Sequence, residues 1–186
     1  MRIWRNSRSS AGSRSIYVVE PGHRFHCDVL TCVSLSDDSR LAVTGSVDTK
    51  ACLVNIQSGI PVATLAGHLD SIQSATFLSG AFSNLAATCA LDGRLIVWDV
   101  QTSAIRNVCE QEHEILQLQW CPTSQLICSG SSDGTVRLWD HRTERCASVL
   151  RGHSDKIQAL ALSSDGSLIV SGSDDHSARA FEVNSV

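Results

Sequence analysis

The sequence has no apolar run approaching the roughly 18 residues that a membrane-spanning helix requires. Its opening, MRIWRNSRSSAGSRS, is rich in Arg and Ser but has no apolar core, so it does not read as a secretory signal. The same composition suits a transit peptide, but Arg2-Ile3-Trp4 fits the repeat described below. Clustered basic charge is also missing. With 15 Lys and Arg against 19 Asp and Glu, the formal charge is −4. That sign argues against broad nucleic-acid binding, which needs Lys and Arg to displace phosphate counterions, and suits a basic partner segment better. No CxxC pair occurs among Cys27, Cys32, Cys52, Cys89, Cys109, Cys121, Cys128 and Cys146, and the thiols scatter through strand patterns. They read as reduced, buried thiols of a cytoplasmic or nuclear protein rather than a secreted disulfide framework. No Gly-rich phosphate loop leads into a helix, no helical spacing persists, and no linker or low-complexity stretch divides the chain. With 42% hydrophobic and 18% charged residues, the balance is that of an ordinary globular domain.

What is present is a repeat. Residues 129–140 read SGSSDGTVRLWD, and degraded versions end at Asn55, Asp99 and Glu182, while Arg2-Ile3-Trp4-Arg5 overlays the end of the motif. The Trp position falls at Trp4, Val54, Trp98, Trp139 and Phe181, with spacings of 50, 44, 41 and 42 residues. A period near 40 with four short strands per unit marks a radially repeated all-β array. Apolar runs bounded by Gly, Ser, Asp and Asn predict strands at 15–19, 29–35, 40–45 and 51–56 in the first unit, and at 61–65, 72–78, 85–89 and 94–99 in the second. The third and fourth units give 105–109, 115–120, 125–129 and 135–139, then 146–150, 157–162, 168–171 and 178–183. Each unit reads as an outer strand followed by three strands running from the inside outward. Asp92-Gly93 and Asp133-Gly134 are tight hairpin signals, because glycine takes the positive φ that such turns demand; Asp48-Thr49 and Asp175-His176 hold the same place without it. The reading is one domain over 1–186, with repeats at about 15–56, 60–100, 104–141 and 146–183, and residues 1–14 as a remnant of a preceding repeat and its connecting loop.

Trp98-Asp99 and Trp139-Asp140, with Gly22-His23, Gly67-His68 and Gly152-His153 at the same period, resemble the WD-repeat (WD40) β-propeller family over essentially the whole chain; the third unit has Glu112-His113 where Gly-His belongs. The resemblance implies an all-β fold of four four-stranded blades and, in each unit, a buried tetrad of His, Ser or Thr, Asp and Trp that satisfy one another away from water. Matching by position gives His68, Thr88, Asp92 and Trp98 in the second unit and His113, Ser129, Asp133 and Trp139 in the third. The fourth keeps His153, Ser171 and Asp175 with Phe181 at the Trp position. The first keeps His23, Thr44 and Asp48 with Val54, which makes its loop three residues longer than its counterparts. The wording of residues 30–183 is similar to the C-terminal half of the angio-associated migratory cell protein family. That similarity implies an eight-bladed type of propeller without catalysis, chaperoning of a ribosomal protein in fungal relatives, and links to migration and signalling in animal ones.

A Ser/His/Asp set invites a hydrolase reading, but a catalytic triad occurs once and faces an oxyanion hole, whereas this set recurs in every unit and so reads as structural. His23, His26 and Cys27 lack a fourth ligand at a readable spacing, so no zinc site is expected, and no cofactor. The functional expectation is a non-enzymatic scaffold whose loop acids, Asp70, Glu112, Glu114, Asp155 and Asp174, meet a basic protein segment. The alternative is an adaptor in signalling, cell migration or a ubiquitin-ligase assembly. Because the first residues begin inside a repeat, a truncated or alternative product is expected. Four blades of a seven- or eight-bladed ring span about half a circle. An open arc then leaves apolar end faces prone to self-association; the alternative is closure into a small ring.

Overall fold

A computed structural model describes residues 3–7 and 14–18 as backbone strands, and residues 25–82, 84–163 and 165–183 in full. The first strands, β1 (Ile3–Ser7) and β2 (Arg14–Val18), form a two-stranded sheet. The next sheet joins β3 (Leu30–Leu35), β4 (Leu41–Ser46), β5 (Lys50–Asn55) and β6 (Pro61–Ala66). Another joins β7 (Ile72–Phe77), β8 (Leu85–Ala90), β9 (Arg94–Asp99) and β10 (Ile105–Glu110). A further sheet joins β11 (Ile115–Cys121), β12 (Leu126–Ser131), β13 (Val136–Asp140) and β14 (Arg145–Leu150). The last has three strands, β15 (Ile157–Leu162), β16 (Leu168–Ser173) and β17 (Ala178–Glu182). All pairs are antiparallel, and the strands lie within one or two residues of those expected from apolar alternation and turn residues.

The strand inventory therefore agrees with the sequence, but its grouping into blades does not. The outer strand that opens each sequence unit pairs with the last strand of the unit before it: β6 with β5, β10 with β9 and β14 with β13. The reason is local. A short turn folds the chain straight back from β5 into β6, whereas residues 67–71 must carry it from the rim to the inner edge of the next sheet. Of the four blades expected to be four-stranded, the last has three strands among the described residues.

The blades are held by residues that alternate along each strand. One core cluster joins Val43, Ala51, Leu53 and Leu65 of the first blade to Ile72, Ala75 and Phe77 of the second. A second joins Leu95, Val97 and Cys109 to Ile115, Leu118 and Trp120, and a third joins Leu126, Cys128 and Val136 to Ile157 and Leu160. The inner strands β7, β11 and β15 thus lay their apolar rows on the preceding blade, giving an open arc of blades rather than a small closed ring. Close approach at these joints depends on missing side chains. A Cβ on Gly45 would lie 2.4 Å from Ile72 Cγ2, and one on Gly130 would lie 2.5 Å from Ile157 Cγ2.

The turns joining second and third strands take positive φ at equivalent places: 67° at Thr49, 75° at Gly93, 75° at Gly134 and 64° at His176. Glycine is at ease there, but Thr49 and His176 hold a left-handed conformation against their own Cβ atoms.

Candidate interaction face and its buried polar locks

Two loops meet at the same end of every blade. The residue after the second strand donates its N–H to a carbonyl in the loop before the inner strand: Val47 to Val29, Leu91 to Ser71, Ser132 to Glu114 and Asp174 to Lys156. Behind this paired rim lie the polar locks.

The second blade has the complete lock. Trp98 Nε1 donates to Thr88 Oγ1 at 2.8 Å, Thr88 Oγ1 lies 2.8 Å from His68 Nε2, and His68 Nδ1 lies 3.2 Å from Asp92 Oδ2. Its proton order follows from which groups can only donate or only accept. The indole only donates and a carboxylate only accepts, so the Thr88 hydroxyl proton goes to His68 Nε2, and His68 carries its own proton on Nδ1 toward Asp92. Burial keeps the imidazole neutral by pushing its pKa below the usual histidine value, although Asp92 pulls the other way. Asp92 also accepts the N–H groups of Leu69 and Arg94, so one carboxylate ties the loop to the turn. Gly67 is small because a Cβ there would lie 3.0 Å from Trp98 Cη2.

The first blade departs from expectation. His23 lies outside the described residues, and the lock histidine is His26: its Nε2 is 2.9 Å from Thr44 Oγ1 and its Nδ1 is 3.1 Å from Asp48. The longer loop inferred from His23 is therefore a misalignment. The lock histidine stands four residues before the first residue of its inner strand, as His26 before Leu30, His68 before Ile72 and His153 before Ile157. Burial raises the Asp48 carboxyl, but N–H donation from Cys27 and Lys50, with His26, outweighs that and leaves its pKa below normal. With both ring nitrogens of His26 engaged, it is not a free metal ligand, and no group of three metal-ligating side chains occurs among the described residues.

The third blade needs the larger correction. Trp139 Nε1 donates to Ser129 Oγ at 2.8 Å, but His113 is exposed and does not join them. Counting back four residues from Ile115 reaches Gln111, whose Nε2 donates to Ser131 Oγ at 2.9 Å and to the His113 carbonyl, while its buried Oε1 has no partner. Asp133 turns instead to Arg137 at 2.7 Å and to the Thr135 hydroxyl at 2.6 Å. Partial burial opposes its ionisation, yet Arg137 and Thr135 hold the carboxyl well below the normal range. Arg137 occupies the position of Ile96 and Cys52, and that exchange of an apolar residue for a cation is the signal in the sequence that marked the difference.

In the fourth blade His153 Nδ1 is 2.8 Å from Asp175 Oδ2 and its Nε2 is 2.8 Å from Ser171 Oγ. The Ser177 hydroxyl, which the sequence reading left out, donates to Asp175 at 2.6 Å and, with His153, draws that carboxyl far below its usual pKa. Phe181 contributes no donor, so Ser171 has no indole to satisfy, as Thr44 has none opposite Val54.

The loop acids divide into two kinds. Asp70 and Asp155 are exposed and each accepts the N–H of the following residue, Ser71 at 2.6 Å and Lys156 at 2.8 Å; Asp28 does the same for Val29 at 2.7 Å. Asp28 is the equivalent that sequence reading missed, because its motif is His26-Cys27-Asp28 rather than Gly-His. Asp174 is exposed and accepts Gln158 Nε2 at 2.8 Å, Glu112 is exposed, and Glu114 is half-buried. Exposed Val29 and Leu69 stand among these carboxylates.

Repeated antiparallel sheets, each with a Ser or Thr on its second strand and an Asp in the following turn, define a repeat protein whose polar residues tie the loops, strands and turns of its blades together. The chain belongs to the WD40 family (WD domain, G-beta repeat), which matches residues 14–55, 59–99, 105–140 and 144–182. It is similar to human angio-associated migratory cell protein, with 37% identity covering 98% of this chain and 44% of that protein. It also resembles periodic tryptophan protein 2 of Arabidopsis thaliana, at 27% identity over 88% of this chain and 18% of the relative. A rice (Oryza sativa subsp. japonica) guanine nucleotide-binding protein subunit beta is 29% identical over 86% of this chain and 46% of its own. The chain thus spans less than half the length of each of these relatives.

Proposed function

We propose that the chain is a non-enzymatic protein-interaction scaffold whose loop end receives a basic segment of a partner protein, as a chaperone of a basic ribosomal protein would. The observation that carries this reading is the repetition of an exposed aspartate, Asp28, Asp70 and Asp155, two residues after the lock histidine in three of four blades. In the remaining blade Glu112 and Glu114 flank the corresponding place. Carboxylates held by the backbone at one rim raise the local concentration of a cationic chain and set its register more than its final affinity. Val29 and Leu69 add apolar contact, so the fitting partner is basic with interspersed apolar residues. The lock residues are engaged with one another and serve stability, not turnover.

The test is binding of a Lys/Arg-rich ribosomal-protein segment to the chain and to Asp70→Lys, Glu114→Lys and Asp155→Lys together. Affinity falls at least tenfold in the triple variant and the salt dependence flattens; unchanged affinity and slope refute the reading. A second reading, an adaptor in signalling or cell migration, draws on likeness to the migratory cell protein and the guanine nucleotide-binding subunit. Cross-linking in cells separates the two by the proteins recovered. The cytoplasm, with the nucleus as a second compartment, is the proposed location.

A further inference from the structure

At the end of the blades opposite the paired rim, one connection differs from its equivalents. Between first and second strands the chain spends seven residues in the second blade, 78–84, against five at 36–40, four at 122–125 and five at 163–167. The longer connection contains a 3-10 turn, Gly80–Phe82, that reaches the third blade. Its stem closes on its own blade, where the Leu78 N–H donates to the Leu85 carbonyl and the Asn84 carbonyl accepts the Val100 N–H. Its tip holds to the third blade in two ways. Trp120 Nε1 donates to Ser79 Oγ at 3.0 Å, and the Phe82 ring stands edge to face with Trp120 and with His141, the centroids 6.0 and 4.7 Å away. Trp120 and His141 meet in the same manner at 5.5 Å, so three rings from three segments close one cluster.

His141 is the ionisable member of the cluster. It is 3% exposed, and its Nδ1 lies 3.2 Å from the Gln125 carbonyl; that oxygen can only accept, so the proton of the neutral ring sits on Nδ1. Nε2 is then a lone-pair nitrogen, buried and without a hydrogen-bond partner. A second proton would make Nε2 a charged donor with nothing to receive it, which costs far more than an unfilled lone pair. Asp140 and Arg142 flank the ring in sequence with opposite effects on it, and they pair with each other at 3.0 Å. The other elements packed on the ring bring no charge to it. Residues 78–84 carry no ionisable side chain, β11 presents Trp120, the 122–125 turn presents the Gln125 carbonyl, and Asn107 of β10 donates to the His141 carbonyl. Glu110 is turned to Arg94, Glu144 to the Val108 N–H, and the Cys121 thiol to the Thr123 hydroxyl and the Gly166 carbonyl.

We propose that residues 79–82 are a proton-sensitive latch between the second and third blades, closed over neutral His141 and released when the ring takes a second proton from solvent. Burial sets the direction, because it pushes the His141 pKa below the ordinary histidine value. The closed state therefore binds fewer protons than the open one below about pH 6.5. The latch is fully closed near pH 7.5, and the ratio of open to closed rises by at most about tenfold for each pH unit below about 6.5. Release uncovers Phe82 and Trp120, so acid exposes an aromatic surface at the end of the blades away from the loop acids.

Amide exchange of the full chain, read by mass spectrometry from pH 7.5 to 5.0 and divided by the intrinsic rate at each pH, tests the latch. Opening of residues 78–82 rises about five- to thirtyfold between pH 7 and pH 5. The equivalent turn at 36–40, with no histidine on it, changes less than twofold, and β12 and β13 keep their protection. His141→Asn retains a donor toward the Gln125 carbonyl but cannot take a proton, and its opening is flat with pH. Phe82→Ala removes the ring that covers His141, so opening is high at every pH and the histidine titrates closer to its ordinary value by NMR. If His141→Asn fails to fold, Phe82→Ala decides. Flat opening of 78–82 in the native chain overturns the proposal, as does a native pH dependence that persists in either variant. A native His141 that titrates at or above the ordinary range also overturns it, because the rings then welcome the imidazolium. Loss of protection in β12 and β13 in step with 78–82 overturns local release, since the whole blade then opens.

Discussion

Removing one hydroxyl from the second blade should disable two buried polar groups at once. Thr88 is fully buried, accepts from Trp98 Nε1 and faces His68 Nε2, both at 2.8 Å. Thr88→Val keeps the shape and deletes the oxygen, leaving an indole N–H and an imidazole nitrogen without partners. Each orphaned buried group costs about 1–3 kcal/mol, so the loss is about 2–5 kcal/mol after a small gain from the added methyl. Against a total stability of about 5–15 kcal/mol, that is a large fraction. Urea unfolding measures it, with an unchanged denaturant slope as evidence that the folded state is intact. The decisive comparison is a double-mutant cycle with Trp98→Phe, which imitates the fourth blade. In that background the indole is gone and Thr88→Val orphans only His68, so its cost falls by about 1–3 kcal/mol. A coupling energy below about 0.5 kcal/mol refutes the lock as a cooperative unit.

Other outcomes follow from the same geometry. Burial holds His68 and His141 below the ordinary histidine range, so below about pH 6.5 the unfolded chain binds more protons than the folded one. Stability is then fully present near pH 7 and falls toward pH 5 by at most about 1.4 kcal/mol per unit for each residue; a flat urea midpoint over that interval refutes this. Gly130→Ala forces a Cβ toward Ile157 and should cost about 1–3 kcal/mol in urea unfolding, and no loss would refute the close joint. Thr49→Gly relieves a positive φ of 67° and should raise stability by about 1 kcal/mol, whereas Gly93→Ala meets the Gln111 carbonyl and lowers it. Burial pushes the Cys109 thiol up to about 12 and those of Cys89 and Cys128 well above normal, while Cys27 and Cys146 are exposed. Native alkylation read by mass spectrometry should mark Cys27 and Cys146 first, and early labelling of Cys128 would contradict the packing.

The sequence by itself determined what is local. Strand positions follow from apolar alternation, and Asp92-Gly93 and Asp133-Gly134 mark turns whose φ only glycine takes freely. The Trp98 lock was legible because all four of its members are of the expected types at the expected spacing. Tertiary structure alone decided the partners. Gly-His pointed to His23, but the histidine that reaches Thr44 is His26, since reach is measured from the inner strand and not from the preceding glycine. Glu112-His113 looked like a variant of the same motif, yet Gln111 occupies that distance and Arg137 takes the carboxylate of Asp133. A hydrogen bond between residues some 20 positions apart depends on where two sheet edges meet, and no alternation pattern encodes that. The same holds for the blades. β6, β10 and β14 read as openings of their own units, but a short hairpin returns each to the sheet before it, and the ladder partner of a strand is fixed by its neighbour in space. For that reason the repeat was visible in the sequence, whereas the joints between blades, with Ile72 against Gly45 and Ile157 against Gly130, became evident only once the sheets were stacked.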